Sequence, residues 1–487
     1  MACWYVLTWS RNPDQDWAEG RYVFPLPERA AVDAFSFRIG ERLVQGEIKP
    51  RPLAEELFRE ARQKGQRAAI LNQHRTNLFS TAISNIDPGA TVRVEISYLE
   101  IASYQNEVFS WRLPLTLTPR YMPGHILENP TGNLVIGGGG WAHPTNQVRD
   151  ADVISPPQVH HVGQADNRAE LMISVEPGVA LREIKSRYHD LVVEQAGDVF
   201  RVFPREGTLP MNRDVSLEWQ PVQEQAPGAA LFRQKFEDRW YSLLMVVPPA
   251  QARELPTREL ILVGDTSGSM AGVSMRKASE LGRGSHVYIG DLSEVSEQMS
   301  GLFEKLERPA TISIEIDWPE PVESYPKIIP DLYQGEPLMV VAAHDALILK
   351  LSVAGLLSTG PWSEDIEIRD ASVTGEISRL WACEKIASLT DAMRRSENAD
   401  GWQQQIVDTS LKFGVVSQFT SFLAVDKTPA RSREAVLKAG RVPNLMPEGS
   451  AQQIPLPATD TGWRRNMMTA LLALVLLIVL MLVPFKA

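Results

Sequence analysis

The chain has 487 residues, 44% hydrophobic, 22% charged and 8% aromatic. That length suggests about three domains, and the balance excludes wholesale disorder, collagen-like repeats and a multi-span membrane protein. Its 49 Lys and Arg against 60 Asp and Glu leave a net charge of −11, which argues against nucleic acid as a partner, because such binding rests on neutralising phosphates.

Two cysteines, Cys3 and Cys383, exclude a disulfide framework or a cysteine-rich zinc site. In chain order, residues 4–10 read as a strand that breaks at the Asn12-Pro13-Asp14 turn. No basic stretch ahead of an apolar run marks a secretory signal. Residues 21–27 (RYVFPLP) and 32–39 (VDAFSFRI) alternate apolar and polar as half-buried strands do. Residues 52–65 predict an amphipathic helix with Leu53, Leu57, Phe58 and Ala61 on one face and Gly65 as its C-terminal cap. Strands at 76–83 and 91–101 flank the Asp87-Pro88-Gly89 turn. These elements predict a β-sandwich-like domain with one helix. The run from Tyr22 through the helix to NIDPGATVRVEISY resembles a VIT (vault protein inter-alpha-trypsin) domain across residues 4–118. Pro25-Leu26-Pro27 and the Asp-Pro-Gly-Ala turn stand at that family's positions. By comparison the first strand looks clipped, which suggests a missing N-terminal segment.

Residues 119–168 form a Gly/Pro-rich connection, in which His143, His160 and His161 read as loop histidines rather than metal ligands. Short strands return over 169–250 as a second β-rich module without a cluster of catalytic residue types. The apolar strand 259–263 (ELILV) then runs into Asp265-Thr266-Ser267-Gly268-Ser269. As residues alone these fit an Asp/Ser helix cap and turn. A strand ending in D-x-S-x-S also resembles the first metal-ion-dependent adhesion motif of von Willebrand factor A domains. That resemblance implies Mg²⁺ held by the Ser267 and Ser269 hydroxyls and, through bound water, by Asp265. It further implies an open position for a protein ligand's carboxylate. Mg²⁺ demands octahedral oxygen coordination and dehydrates reluctantly. A complete A domain brings further ligands from later loops, whereas here only about fifty residues, 259–309, carry the resemblance. The region 251–309 is therefore expected to be a partial A domain ending in a helix over 292–306, with Asp291 as the nearest extra carboxylate and Mg²⁺ binding weak or absent.

Residues 310–440 predict a β/helical module with helices at 376–394 and 403–413, the latter ended by Gly414, and with Cys383 as a small core residue. The run IVDTSLKFGVVSQFTSFLAVD resembles the segment that follows the A domain in inter-alpha-trypsin heavy chains. Residues 441–466 form a linker containing Leu456-Pro457-Ala458-Thr459, which resembles a sortase sorting signal, although Asp460 stands where that pattern has Gly. Residues 467–485 are nineteen uncharged residues, long enough at 1.5 Å rise to cross a bilayer core of about 30 Å, and predict a transmembrane helix.

The expected architecture is α+β, multidomain and mostly β. Its parts are the VIT sandwich (1–118), the connection, the β-rich module, the partial A domain, the β/helical module, the linker and the membrane helix. The order resembles bacterial VIT/A-domain sortase targets. This implies a single-pass envelope protein with its body facing outward, no enzymatic activity, a protein ligand, a sortase and the membrane as partners, and no nucleic acid. Flanking charges (Arg464 and Arg465 before the span, Lys486 after it) place the body in the cytoplasm instead. A second reading is a structural scaffold whose A domain is vestigial and binds no metal. No nucleophile elbow, phosphate loop or zinc signature is legible.

Overall fold

Phe35, Phe37 and Ile39 are buried while the residues between them are at least partly exposed along the strand Ala31–Ile39, so that strand turns one face inward. The same alternation recurs at Val92, Val94 and Ile96 in the neighbouring strand Thr91–Glu100. In the computed structural model the described residues are 2–448, without 106–107, 118, 120–121, 128–139, 160–167, 176–180, 198, 222–228, 247–294, 308–309, 334–336, 358–359, 368–375, 397–398 and 433. The two strands belong to an eight-stranded sheet. Its order is Leu191–Ala196, Val199–Pro204, Arg168–Val175, Ala2–Arg11, Thr91–Glu100, Ala31–Ile39, Arg42–Gln45, with Leu209–Pro210 also paired to Arg168–Val175.

A six-stranded sheet lies against it, in the order Leu437–Arg441, Trp17–Pro25, Leu78–Ile86, Gln66–Arg75, Thr420–Pro429, Glu47–Pro50. Phe24, Phe37, Phe79, Ile96, Ile173 and Phe422 meet in the core between them. Helix α1 (Arg51–Gln63) covers the outer face of the second sheet, setting Ala54, Phe58 and Ala61 against Ala68, Ile70 and Leu423. The strand Arg168–Val175, from the second β-rich stretch, and the strand Thr420–Pro429, from the C-terminal stretch, thus complete sheets begun by the first hundred residues.

A four-stranded sheet, in the order Leu181–Ser186, Val215–Pro221, Val108–Leu113, Ser103–Gln105, adds Trp111, Leu113, Leu217 and Trp219 to the same core, and the strands between residues 229 and 367 build a second sandwich. The strands Ala229–Phe236, Arg239–Val246, Leu338–His344 and Glu323–Tyr325 form one sheet, and Leu332–Tyr333, Ala310–Asp317, Lys350–Leu357 and Gly360–Glu367 form the other. Leu244, Val246, Ile314, Val340 and Val353 fill the space between. Helix α2 (Ala151–Ile154) is a single turn against the first sandwich, and helix α3 (Val295–Leu306) falls within the expected 292–306. Helices α4 (Ile377–Arg395) and α5 (Asp400–Phe413) pack Leu380, Trp381 and Phe413 against Tyr241, Leu243 and Val341 of the second sandwich and against Ala31 and Leu99 of the first. Gly414 caps α5 at φ +67°, a conformation glycine adopts without Cβ strain.

One expectation is corrected. No helix among the described residues is long and apolar enough to cross a membrane, so the fold class loses its transmembrane helix and the placement as a single-pass membrane protein loses its support. The apolar run 467–485 lies outside the described residues. The longest described helix, α4, fails as a span for a physical reason. It carries Arg379, Glu384, Lys385, Asp391, Arg394 and Arg395, and its apolar side is spent on Tyr241 and Leu99.

Candidate functional site

Two serine–histidine–carboxylate arrays are the strongest chemical constellations among the described residues. The first is built on the hairpin Gln66–Arg75/Leu78–Ile86, where a register shift between Gln73 and Arg75 accommodates His74. His74 Nε2 lies 2.8 Å from Ser80 Oγ, and His74 Nδ1 lies 4.0 Å from an Asp150 carboxylate oxygen. Asp150 comes from the connection before α2 and receives two N–H bonds from Arg75, at 2.9 and 3.0 Å. Burial pushes the Asp150 carboxyl up, but the Arg75 guanidinium outweighs it and holds the group below the usual carboxylate range. Burial first, then the charge of Arg51, lowers the His74 pKa to about 4.

The second array lies inside the other sandwich. Ser242 Oγ and His344 Nε2 are 2.8 Å apart. His344 Nδ1 is 2.7 Å from the Ala346 carbonyl and 3.7 Å from Glu320 Oε1, which accepts the Ala346 N–H at 2.8 Å. The carbonyl fixes the Nδ1–H tautomer, so the Ser242 hydroxyl donates to Nε2. Burial lowers the His344 pKa.

Both arrays have the residue types of a hydrolase triad, but neither has its setting, and in neither does His Nδ1 reach the carboxylate within hydrogen-bond distance. Ser80 is 4% exposed and Ser242 1%. Each sits in the middle of a strand with its backbone opposite Asn72 and Ala342 respectively, committed to a ladder and not free to form an oxyanion hole. A histidine held near pKa 4 is also a poor general base at neutral pH. What these geometries do is satisfy buried hydroxyls and imidazoles in the core. They escaped sequence reasoning because their members lie far apart in the chain, Asp150 seventy-odd residues beyond His74 and His344 about a hundred beyond Ser242.

The residues singled out by sequence are distributed otherwise. Asp265, Ser267, Ser269 and Asp291 lie outside the described residues, as do Leu456, Pro457, Ala458 and Thr459. The described residues hold no group of three or more His, Cys, Asp or Glu able to bind a metal. His143 sits in the loop before α2, and Cys383 is half-buried on α4, where its Sγ lies 4.0 Å from the Arg29 carbonyl.

The early strands of the sandwich and helix α1 fall in a segment that the family comparison identifies. Residues 6–98 match the model of the vault protein inter-alpha-trypsin domain, so the first hundred residues are a VIT domain. The chain is 23% identical over 300 residues to "Protein mono-ADP-ribosyltransferase PARP4" of Mus musculus, covering 58% of this chain and 14% of that protein. It is 28% identical over 119 residues to "von Willebrand factor A domain-containing protein 5A" of Mus musculus, covering 24% of this chain and 15% of that protein. The human protein of the PARP4 name matches at 23% over 282 residues, with 15% of its length covered. The chain thus spans about a seventh of the length of the curated relatives it matches.

Proposed function

We propose that this chain is a non-catalytic protein-interaction or adhesion protein whose VIT sandwich is the rigid part. The observation that carries the reading is the VIT match over residues 6–98, together with sheets that later segments extend into one scaffold. An A-type segment at 251–309 is part of the proposal and rests on the apolar strand that runs into Asp265-Thr266-Ser267-Gly268-Ser269. The transferase name of one relative is not carried over, because only 14% of that protein is covered. In this reading Asp265, Ser267 and Ser269 are the start of an adhesion-type metal site that binds Mg²⁺ weakly or not at all, for want of the later ligands. The segment Leu456-Pro457-Ala458-Thr459 is proposed as a sortase substrate, to be checked by incubating the chain with a sortase and sequencing the product.

Calorimetric titration of the full chain with Mg²⁺ or Mn²⁺ tests the metal site, with Ser267→Ala as control. Micromolar binding lost in the variant would establish a working site, and adhesion would then be abolished by EDTA. Protein binding indifferent to EDTA favours the scaffold. A fluorophosphonate probe tests the enzymatic alternative. Neither Ser80 nor Ser242 is expected to be labelled in the folded chain, and an adduct at either residue would overturn the non-catalytic reading.

A further inference from the structure

The short segment from Asp150 to Ile154 lies on the rim of the six-stranded sheet in the manner of a bound peptide. Asp150 takes both N–H groups of Arg75. Arg441, at the end of the strand Leu437–Arg441, donates to the Asp152 carbonyl and stands 3.9 Å from the Asp152 carboxylate. Ala151 is fully buried, and Ile154 enters an apolar pocket made by Val23, Leu78 and Leu117. The contact therefore reads an acid at i by paired hydrogen bonds, an acid at i+2 by charge at longer range beside a backbone bond, and an apolar residue at i+4.

The rim carries more positive charge than this segment neutralises. Arg21 stands directly opposite Arg441 in the parallel pair of Trp17–Pro25 with Leu437–Arg441, and no carboxylate pairs with it among the described residues. Arg51 already has its own carboxylate partner, Glu55. In a chain of net charge −11 this is a local excess of cations, and the Asp152 pair is longer than a hydrogen bond. Residues 150–154 thus match the surface in sign and shape without saturating it.

We propose that this rim is a docking surface for an acidic peptide of a partner protein, of the form Asp-x-Asp-x-apolar, and that residues 150–154 occupy it in cis until the partner displaces them. The proposal rests on the protein-interaction reading and names the chemistry of the partner. Its specificity is set chiefly at the first position, where a bidentate Arg–carboxylate bond discriminates Asp from Asn by charge and geometry, and at the fifth, where the pocket selects an apolar residue.

The test uses the full chain and a fluorescein-labelled peptide with the sequence of residues 147–156, followed by anisotropy. The variant Asp150→Ala/Asp152→Ala, which weakens the cis contact, is expected to bind the peptide about tenfold or more tightly than the parent chain, the equivalent of one charge-assisted pair. Adding Arg75→Ala, or replacing both peptide aspartates by Asn, is expected to abolish that gain. Equal binding of the Asn peptide overturns the proposal, as does absence of binding by a variant whose melting curve is unchanged. Should the variant not fold, hydrogen exchange on the parent chain decides. Excess peptide is expected to accelerate exchange at residues 151–154, and unchanged protection overturns the proposal. All titrations are run in EDTA, so a failure here is separate from a failure of metal-dependent adhesion.

Discussion

Asn85 shows how much a single side chain carries in this fold. It sits in the strand Leu78–Ile86 at φ +57°, fully buried. Its Nδ2 donates to the carbonyls of Gln66 and Arg62, at 2.7 and 3.2 Å, and its Oδ1 accepts from Arg431 Nε at 2.7 Å. Arg431 also donates to the Arg62 carbonyl, so a cation from the C-terminal stretch stands at the C-terminus of α1, where the helix dipole favours positive charge. Asn85→Ala loses these bonds and leaves a Cβ-bearing residue in the left-handed region without local support. It is expected to cost about 2–4 kcal/mol in urea unfolding. The titrating residues give a second prediction. His74 keeps a folded pKa of about 4 against an ordinary 6.5, so the unfolded chain binds its proton first. Its contribution is intact above pH 6.5 and is lost as pH falls from there towards 4. His74→Gln is expected to flatten that limb of the stability profile by about 2–3 kcal/mol. Glu100 works the other way. Burial raises its carboxyl to about 8, against a hydrogen bond from Trp111 that lowers it. The contribution of Glu100 is therefore complete below pH 4.5 and declines as pH rises towards 8. Glu100→Gln should stabilise the chain by about 2 kcal/mol or more at pH 8 and hardly at all at pH 4.5, by chemical denaturation at both values.

Among the elements, the strand Thr420–Pro429 has the widest reach. Its residues Thr420 to Leu423 pair with Glu47–Pro50, and Ser421 to Val425 pair with Gln66–Arg75, so the strand is hydrogen-bonded on both sides. Phe422 and Ala424 point into the sandwich core, whereas Leu423 lies under α1 on the other face. Its apolar run, and those of the strands around it, are legible as buried strands. Its address is not, because nothing in a period-2 pattern names the partner strand. Phe422→Ala is expected to cost about 3–5 kcal/mol and to raise hydrogen exchange in Ala68 to Asn72, the neighbours it holds. The helices were equally legible: α1, α4 and α5 fall within a few residues of where periodicity and Gly414 put them. What α4 does was not. Trp381 donates its Nε1–H to the Glu323 carbonyl at 2.8 Å and meets Tyr241, Tyr325 and Phe413 ring to ring, a junction assembled from segments up to 170 residues apart.

At the scale of the whole molecule, strands from distant parts of the described chain pair with one another. The strand Leu437–Arg441 runs parallel to Trp17–Pro25, and Gln158–Val159 pairs with Asn444–Leu445. A chain stopped after residue 376 would leave the strand Gln66–Arg75 and the inner face of α1 uncovered. It is expected to show no cooperative transition by near-ultraviolet circular dichroism, where the chain to residue 448 does. By itself the sequence determined the β-rich character, the helix of the VIT domain with its Asp-Pro-Gly turn, and the family resemblance that residues 6–98 bear out. These are local properties, set by side-chain periodicity and turn chemistry. Only the tertiary structure decided that residues 168–175 and 420–429 belong to the first sandwich, that two triad-like arrays are closed inside cores, and that Asp150 meets Arg75. Pairing of this kind is chosen by burial and hydrogen-bond satisfaction summed over the entire fold, and no segment carries that sum in its own residues.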